Sequence, residues 1–184
     1  LEEGKRLNSI TRKMIKLSRI QPGLLNIERQ DVKKMLETSL MAVRMKAGQK
    51  QIHFTSDIPE GIFCYGGREF LITMMENVLD NAIKASHEGG VIEARAAGEG
   101  GALAYIQVTD HGIGIPADIL DKIDQPFFKG DKAHSQGGDG FGMGLAICKS
   151  VMLHHHGSLK YESVVGAYTT VTMRFPAADY LRLE

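Results

Sequence analysis

The chain has 184 residues, of which 43% are hydrophobic and 24% charged, a composition typical of a globular protein able to bury a core. Its 22 Lys and Arg residues balance its 22 Asp and Glu residues without a basic stripe, which excludes a typical nucleic-acid-binding surface. No apolar run approaches the roughly twenty residues that a membrane span requires, and no signal-peptide pattern opens the chain.

Cysteine usage and the first residue indicate the setting of the protein. Cys64 and Cys148 are far apart and form no CxxC pair, so they predict neither a disulfide framework nor a zinc site. Two reduced, buried thiols are typical of a cytosolic protein. Because the chain begins at Leu1 rather than at methionine, we interpret it as a piece of a longer protein.

The first twenty residues carry apolar side chains at helical spacing, with charged residues between them. This a/d seam predicts a helix that ends near Pro22 and Gly23. Two interpretations stay open: an amphipathic helix that lies on its own domain, or the end of a dimerising coiled coil. The seam consists of Leu7, Ile10, Met14 and Leu17.

Periodicity and turn residues predict three further helices and seven strands. The predicted helices cover residues 31–48, 68–86 and 143–155. Helices that are segregated from hairpin-linked strands predict an α+β protein, a two-layer sandwich with one helical layer on one mainly antiparallel sheet. The predicted strands cover residues 25–27, 51–57, 63–65, 91–97, 103–109, 157–163 and 169–175.

The predicted helix over 68–86 places three polar residues on one face. Asn77, Asn81 and Lys84 stand at i, i+4 and i+7, away from the apolar face. Amide oxygens can ligate Mg²⁺ and a lysine neutralises phosphate, so this face suits a polyphosphate that carries a divalent cation. Taken alone, the pattern is better explained as a solvated helix face.

A second polar segment, Asp110-His111-Gly112-Ile113-Gly114-Ile115, directly follows a predicted strand. Its glycines allow backbone to come close to a planar ligand. A buried carboxylate only accepts hydrogen bonds, so it would pair with the adenine amino group and repel the carbonyl of guanine. The alternative is a tight turn capped by the aspartate.

A third segment, Gly138-Asp139-Gly140-Phe141-Gly142-Met143-Gly144-Leu145, runs into the last predicted helix. Its glycines expose backbone N–H groups, and the helix start adds a dipole that favours phosphate. The spacing matches neither the Walker P-loop nor a Rossmann fingerprint. A flexible surface loop is the alternative.

In this order the three segments resemble the N box and the two glycine boxes of the GHKL, or Bergerat, ATP-binding fold. Three more segments resemble sensor histidine kinases in particular: residues 123–130 their F box, residues 166–176 their closing strand, and residues 7–20 the end of the second helix of their dimerisation and phosphoacceptor hairpin. The resemblance divides the chain into the end of that helix (1–22), an ATP-binding catalytic domain (23–179) and a tail (180–184).

The resemblance implies a role for each matching residue. Asn77 and Asn81 would hold Mg²⁺, Lys84 and Lys129 would approach the phosphates, and Asp110 would read adenine. Glu76, Asn77 and Lys84 would be the catalytic residues, with Glu76 either a base for the phosphoacceptor or only a support for its helix. The remaining implied contacts to the nucleotide are Gly112, Ile113, Gly114, Ile115, Phe128, Gly140, Phe141, Gly142, Met143, Gly144, Leu145 and Thr169.

The resemblance also implies a five-stranded sheet under three helices and a lid over about 127–143, anchored by Phe127 and Phe128. Five positions depart from the family pattern: Ile123 in the F box, Tyr168 in the closing strand, Ser158 in place of a glycine, and Phe141 and Met143, which are bulkier or more flexible than usual in the lid. His156 is the predicted counterpart of a histidine that the family has before glycine.

The implied reaction moves the γ-phosphoryl group of ATP to a histidine on a hairpin that this chain lacks, leaving ADP. A response regulator would be a partner of the full-length protein, and the implied location is cytoplasmic, either free or as part of a membrane-bound sensor. Two alternatives remain. A GHKL ATPase would have a glutamate at the position of Asn77 and a longer lid, and an anti-sigma-type serine kinase would lack the helix at residues 1–20.

Overall fold

The computed structural model describes residues 26–99, 102–128 and 142–176, together with Thr11, Ile15 and Ser18. Those three residues are helical, and the Ser18 hydroxyl donates to the carbonyl of Ile15 at 2.9 Å. The apolar seam of the first helix lies outside the described residues. So do Lys129, Gly140 and Phe141 of the predicted site, and the tail at 180–184.

Three helices form one layer: α1 (Val32–Gln49), α2 (Arg68–Ala85) and α3 (Gly144–His154). Each lies within one residue of its predicted bounds. Asp31 starts α1, because its carboxylate accepts the backbone N–H of Lys34 at 3.0 Å. The Lys50 ammonium stabilises the end of α2 by donating to the carbonyls of Ile83, Lys84 and Ser86, where a helix dipole favours a cation.

Seven strands form the second layer. The first strand is longer and later than predicted, because it pairs antiparallel with the third from Ile27–Gly67 to Asp31–Phe63. Its polar residues Glu28 and Arg29 are exposed at this edge and gave no strand pattern in the sequence. The strands are β1 (Ile27–Asp31), β2 (His53–Asp57), β3 (Phe63–Gly67), β4 (Val91–Glu99), β5 (Ala102–Asp110), β6 (Ser158–Val164) and β7 (Tyr168–Arg174).

β5 is the centre of the sheet. It pairs antiparallel with β4 and β7, while β4 pairs parallel with β2 and β7 antiparallel with β6. The order β2-β4-β5-β7-β6 is the five-stranded, mainly antiparallel sheet that the resemblance implied. Within the described residues, the whole sheet has seven strands rather than the implied five. The β1–β3 ribbon adds two, and within the described residues it joins β5 through the pair Phe63–Ala102.

The core lies between the layers, and α2 runs through its middle. Met74, Met75 and Leu79 on α2 are fully buried, as are Ile106 on β5 and Met173 on β7. Each such side chain contributes about 1.5–3 kcal/mol by leaving water. Because the apolar side of α2 is buried in the core, the polar side of the same helix is held in a fixed position at the surface. Within the described residues, no helix combines the length and the apolar character needed to span a membrane.

Candidate functional site

The polar face of α2 meets the start of α3. Asn77 and Asn81 are half-buried, and the amide nitrogen of Asn77 donates to the carbonyl of Thr73 at 2.8 Å. That bond leaves the amide oxygen of Asn77 turned toward Gly144, where an added Cβ would lie 3.2 Å from it and 3.6 Å from Nδ2 of Asn81. Two of the three segments found in the sequence are therefore in contact.

Lys84 has a partner that the sequence analysis missed. Its ammonium lies 2.6 Å from Asp80 Oδ2, one helical turn earlier. Asp80 also accepts a hydrogen bond from Lys46 of α1. Burial alone would raise the pKa of Asp80, but the hydrogen bonds and charges of the two lysines lower it below its usual value. The contact of Lys84 with phosphate stays a prediction, and Lys46 had no signal because it belongs to another helix.

A cleft of about 220 Å³ lies between α1 and α2 and reaches α3. α1 contributes Lys46 to its lining, and α2 contributes Glu76, Asn77 and Asp80. Glu76 therefore lies beside Asn77 at a surface that can take a polar group, which fits either of its predicted roles.

Asp110 ends β5 and is buried, with 4% of its surface exposed. Its Oδ1 accepts the backbone N–H of Gly112 at 3.1 Å, and it lies opposite Thr169 of β7 in the strand register. Burial raises the pKa of Asp110 to about 6, although the Gly112 bond and the neighbouring His111 act in the opposite direction. A buried carboxylate whose pKa is raised by desolvation is typical of a binding site.

The two glycines after Asp110 pack the turn against the chain itself. A Cβ on Gly112 would lie 2.1 Å from the carbonyl oxygen of Ala85, at the end of α2. A Cβ on Gly114, where φ is +67°, would lie 2.2 Å from the carbonyl oxygen of Val164. Their Cβ positions are thus taken up by protein backbone, and the turn is wedged between α2 and the β6–β7 hairpin.

Ser163 connects this turn to Thr169 and was not predicted. Its hydroxyl donates to the carbonyl of Tyr168 at 2.7 Å. Because a hydroxyl has one proton, Ser163 Oγ accepts both from the N–H of Ile115 at 2.8 Å and from the hydroxyl of Thr169 at 2.9 Å. Ile113 is partly exposed, and its carbonyl accepts from Gly166. Nothing in the sequence distinguishes Ser163 from other strand serines.

The two ends of the predicted lid are joined. The N–H of Phe127 donates to the carbonyl of Gly142 at 3.0 Å, and a Cβ on Gly142 would lie 2.3 Å from the carbonyl oxygen of Phe128. Phe127 is 57% exposed and does not enter the core, so its described contact across the lid ends is this backbone bond, and lid anchoring by Phe127 and Phe128 stays a prediction. Phe128 is half-buried. Met143 is buried and Leu145 packs against the core, so any contact of these two residues with a nucleotide would be through their backbone.

The structure separates the three consecutive histidines. His155 is fully buried, with Nδ1 donating to the carbonyl of Val151 at 2.7 Å and Nε2 accepting the N–H of Gly67 at 3.0 Å. His156 is exposed and has a φ of +53°, a conformation that favours glycine. His155 is therefore the histidine that packs in the core. The prediction that His156 is the counterpart of the family histidine was displaced by one residue, because the sequence cannot show which of the three side chains faces inward.

Comparison with known proteins agrees with the geometry. Residues 66–179 match the model of the family described as histidine kinase-, DNA gyrase B-, and HSP90-like ATPase. The sensor-like histidine kinase SenX3 of Mycolicibacterium smegmatis is 34% identical over 176 residues, covering 95% of this chain and 46% of the relative. The sensor histidine kinase WalK of Bacillus subtilis is 29% identical over 177 residues, covering 95% of this chain and 29% of the relative. The chain thus spans less than half the length of these two curated relatives.

Solved structures show the same fold. Histidine kinase AdeS of Acinetobacter baumannii superposes with a TM-score of 0.76 at 21% identity, covering 95% of this chain and 80% of that one. The mycobacterial sensor histidine kinase MprB gives a TM-score of 0.67 at 28% identity, covering 81% of this chain and 96% of that one. With its family segments in contact and in the expected order, the chain belongs to the histidine kinase-, DNA gyrase B- and HSP90-like ATPase family.

Proposed function

We propose that this chain binds Mg-ATP and transfers the γ-phosphoryl group to a histidine on a dimerisation and phosphoacceptor hairpin, as part of two-component signal transduction. One observation carries the proposal: Gly144 at the start of α3 lies against both Asn77 and Asn81. An amide pair facing a helix N-terminus across a small gap suits a metal-bound polyphosphate.

Asp110 would select adenine. One of its oxygens is engaged by the N–H of Gly112, and the other can accept a hydrogen bond from the adenine amino group. Since its pKa is raised only to about 6, the carboxylate is mostly ionised at neutral pH and acts purely as an acceptor. Guanine presents a carbonyl at that position and would be repelled.

Asn77 and Asn81 fit a magnesium site, because their amides line a gap that a single Cβ on Gly144 would fill. Their oxygens would hold Mg²⁺, which supplies charge neutralisation at the phosphates. Within the described residues there is no group of three or more His, Cys, Asp or Glu side chains that could hold a metal. The two amides are therefore the proposed protein ligands.

Phosphate binding would use the segment that leads into α3. Gly142 adopts a φ of +63°, and the first turn of α3, which has no side-chain cap within the described residues, places its backbone N–H groups at the positive end of the helix dipole. Lys84 would add a point charge beside the γ-phosphate. These groups hold the phosphates in line with an incoming nucleophile, and positioning of this kind accounts for most of catalysis in phosphoryl transfer.

Glu76 lines the cleft beside Asn77, where the phosphoacceptor imidazole would approach. A neutral imidazole is already nucleophilic at one nitrogen, so the proposed task of Glu76 is to accept the proton on the other nitrogen. The alternative role, in which Glu76 only supports α2, predicts that Glu76→Gln changes stability rather than the rate of transfer.

Asn77 favours a kinase over the ATPase alternative. A water-activating ATPase of this family would need a glutamate at that position, and the amide of Asn77 cannot act as a base. The proposal includes a cytoplasmic location and a response regulator that is engaged by the full-length protein.

Transfer in trans tests the proposal. We expect the chain, given γ-labelled ATP and magnesium, to label an added phosphoacceptor hairpin from the same protein without labelling itself. The label should be lost in acid and retained in alkali, as a phosphorylated histidine nitrogen requires. Acid-stable label on the chain itself would instead identify a serine or threonine kinase, and release of free phosphate at the same rate without the hairpin would identify an ATPase.

A further inference from the structure

One carboxylate on α2 is shared by two lysines. Asp80 Oδ2 lies 2.6 Å from the Lys84 ammonium, and Asp80 Oδ1 accepts from Lys46 of α1. Only 18% of the Asp80 side chain is exposed, against 39% for Lys84 and 60% for Lys46. Asp80 is thus the shielded member of the cluster, and the lysines reach it from two different helices.

This cluster borders the proposed phosphate site. Asp80 and Lys46 line the same cleft as Glu76 and Asn77, and Asn77 in turn faces Gly144. Lys84, the proposed phosphate ligand, is paired with Asp80. Lys84 is not among the residues that line this cleft, so we expect its ammonium to leave the carboxylate when it binds a phosphate there.

Leaving Asp80 without a partner would be costly. A shielded carboxylate that loses its only cation keeps its charge and loses the interaction that offsets desolvation. Lys46 removes this penalty, because it remains on the other oxygen of Asp80 when Lys84 departs. The remaining pair is neutral, whereas the three-membered cluster carries one excess positive charge that a phosphate can take up.

We propose that Lys46 is a positioning residue: it keeps Asp80 paired and so releases Lys84 to the γ-phosphate of ATP. This inference rests on the proposed function, since it assumes that Mg-ATP binds beside Asn77. It assigns Lys46 no contact with the nucleotide. Without Lys46, Lys84 stays paired with Asp80. The site then lacks the Lys84 contact with the γ-phosphate, while the rest of the nucleotide is bound as before.

The test compares calorimetric affinities for Mg-ATP and Mg-ADP in three variants. Lys46→Met should weaken ATP about fivefold and change ADP by less than about twofold, the size expected when one partly exposed ion pair is redistributed. Asp80→Asn combined with Lys46→Met should restore ATP affinity to within about twofold of wild type, because nothing then retains Lys84. Lys33→Met is the matched control, since it removes an equal charge from α1 where Lys33 pairs with Glu60.

Three results would overturn the inference. Equal loss of ATP and ADP affinity in Lys46→Met would mean that Lys46 shapes the whole site. A double variant as weak as Lys46→Met would mean that Lys46 contacts the nucleotide directly. Wild-type affinities in Lys46→Met would mean that it has no role. Failure of the wild-type chain to bind either nucleotide would be a different outcome, because it would contradict the proposed function itself.

Discussion

The imidazole of His155, just after the end of α3, accepts a hydrogen bond from the backbone N–H of Gly67, the residue that precedes α2. This bond connects the helix that carries the asparagines to the helix that begins at Gly144. Gly67 has no side chain to cap α2, so the ring of His155 takes the place of a cap on one of the free N–H groups at that end. The geometry of the proposed site depends on a contact at the opposite end of α3.

His155 should make the fold sensitive to acid. Nδ1 must carry the proton given to Val151, and Nε2 must stay bare to accept from Gly67, so a protonated ring would place two donors face to face. Burial accordingly lowers the pKa of His155 below its ordinary 6.5. As pH falls, His155 therefore binds a proton in the unfolded chain before it does so in the folded chain. The stability that His155 contributes is complete above about pH 6.5 and is lost as pH falls below that value.

Urea denaturation between pH 5 and 8 measures this effect. His155→Gln should lower the free energy of unfolding by about 1–3 kcal/mol at pH 7.5. Below about pH 6.5 the free energy of unfolding of wild type should fall more steeply with pH than that of the variant, by up to about 1.4 kcal/mol per pH unit. His53→Gln on exposed β2 serves as the control. Parallel pH curves for wild type and His155→Gln would contradict the assigned tautomer.

Asp110→Asn should separate stability from recognition. The pKa of Asp110 is raised from 3.8 to about 6, so its ionised form destabilises the fold above pH 6, and this penalty disappears as pH falls toward 3.8. The neutral amide should raise the free energy of unfolding by about 2 kcal/mol at pH 7.5, with the gain vanishing near pH 4.

The same variant should bind Mg-ATP more weakly than wild type. Because one oxygen of Asp110 is taken by the N–H of Gly112, the amide would keep its oxygen there and turn its NH₂ toward the adenine amino group. We expect the Kd for Mg-ATP to rise at least about tenfold. A variant that still binds ATP like wild type would remove Asp110 from the proposed base-reading role, and a less stable variant would contradict the predicted cost of burying its charge.

Gly144→Ala and Gly112→Ala should change different properties: the first should weaken Mg-ATP binding, and the second should destabilise the fold. The Cβ added at Gly144 would lie 3.2 Å from the Asn77 amide, so we expect Mg-ATP affinity to fall about tenfold while stability changes by less than about 1 kcal/mol. The Cβ added at Gly112 would lie 2.1 Å from a backbone carbonyl that cannot yield easily, which should cost about 3 kcal/mol of stability.

Thermal unfolding and calorimetry of the two glycine variants check this prediction together. Gly48→Ala, at a helical position with open space around it, controls for the change of residue type. Unchanged Mg-ATP affinity in Gly144→Ala would show that the α2–α3 contact is not part of the binding site.

The sequence was sufficient for the three helices α1, α2 and α3 and for most strands, because their periods and turn residues agree with the final packing. It failed where the answer depends on a contact between distant segments. Lys84 pairs with Asp80 one turn away on its own helix, but Lys46 belongs to α1, and only the α1–α2 contact brings it to Asp80. The sequence marked the glycines of the Asp110 turn, but it could not show that Ala85 and Val164 fill the space beside them, and their contact with a nucleotide stays a prediction. The strand β1 was misplaced because its edge position needs no apolar alternation.

Titration of the chain with Mg-ATP and with Mg-GTP tests the central claim most directly. The account predicts a single site that binds Mg-ATP, fails to bind Mg-GTP, and loses its magnesium-dependent affinity in Asn81→Ala. Equal affinity for the two nucleotides would contradict the role of Asp110, and an unchanged Mg-ATP affinity in Asn81→Ala would contradict the metal site on α2.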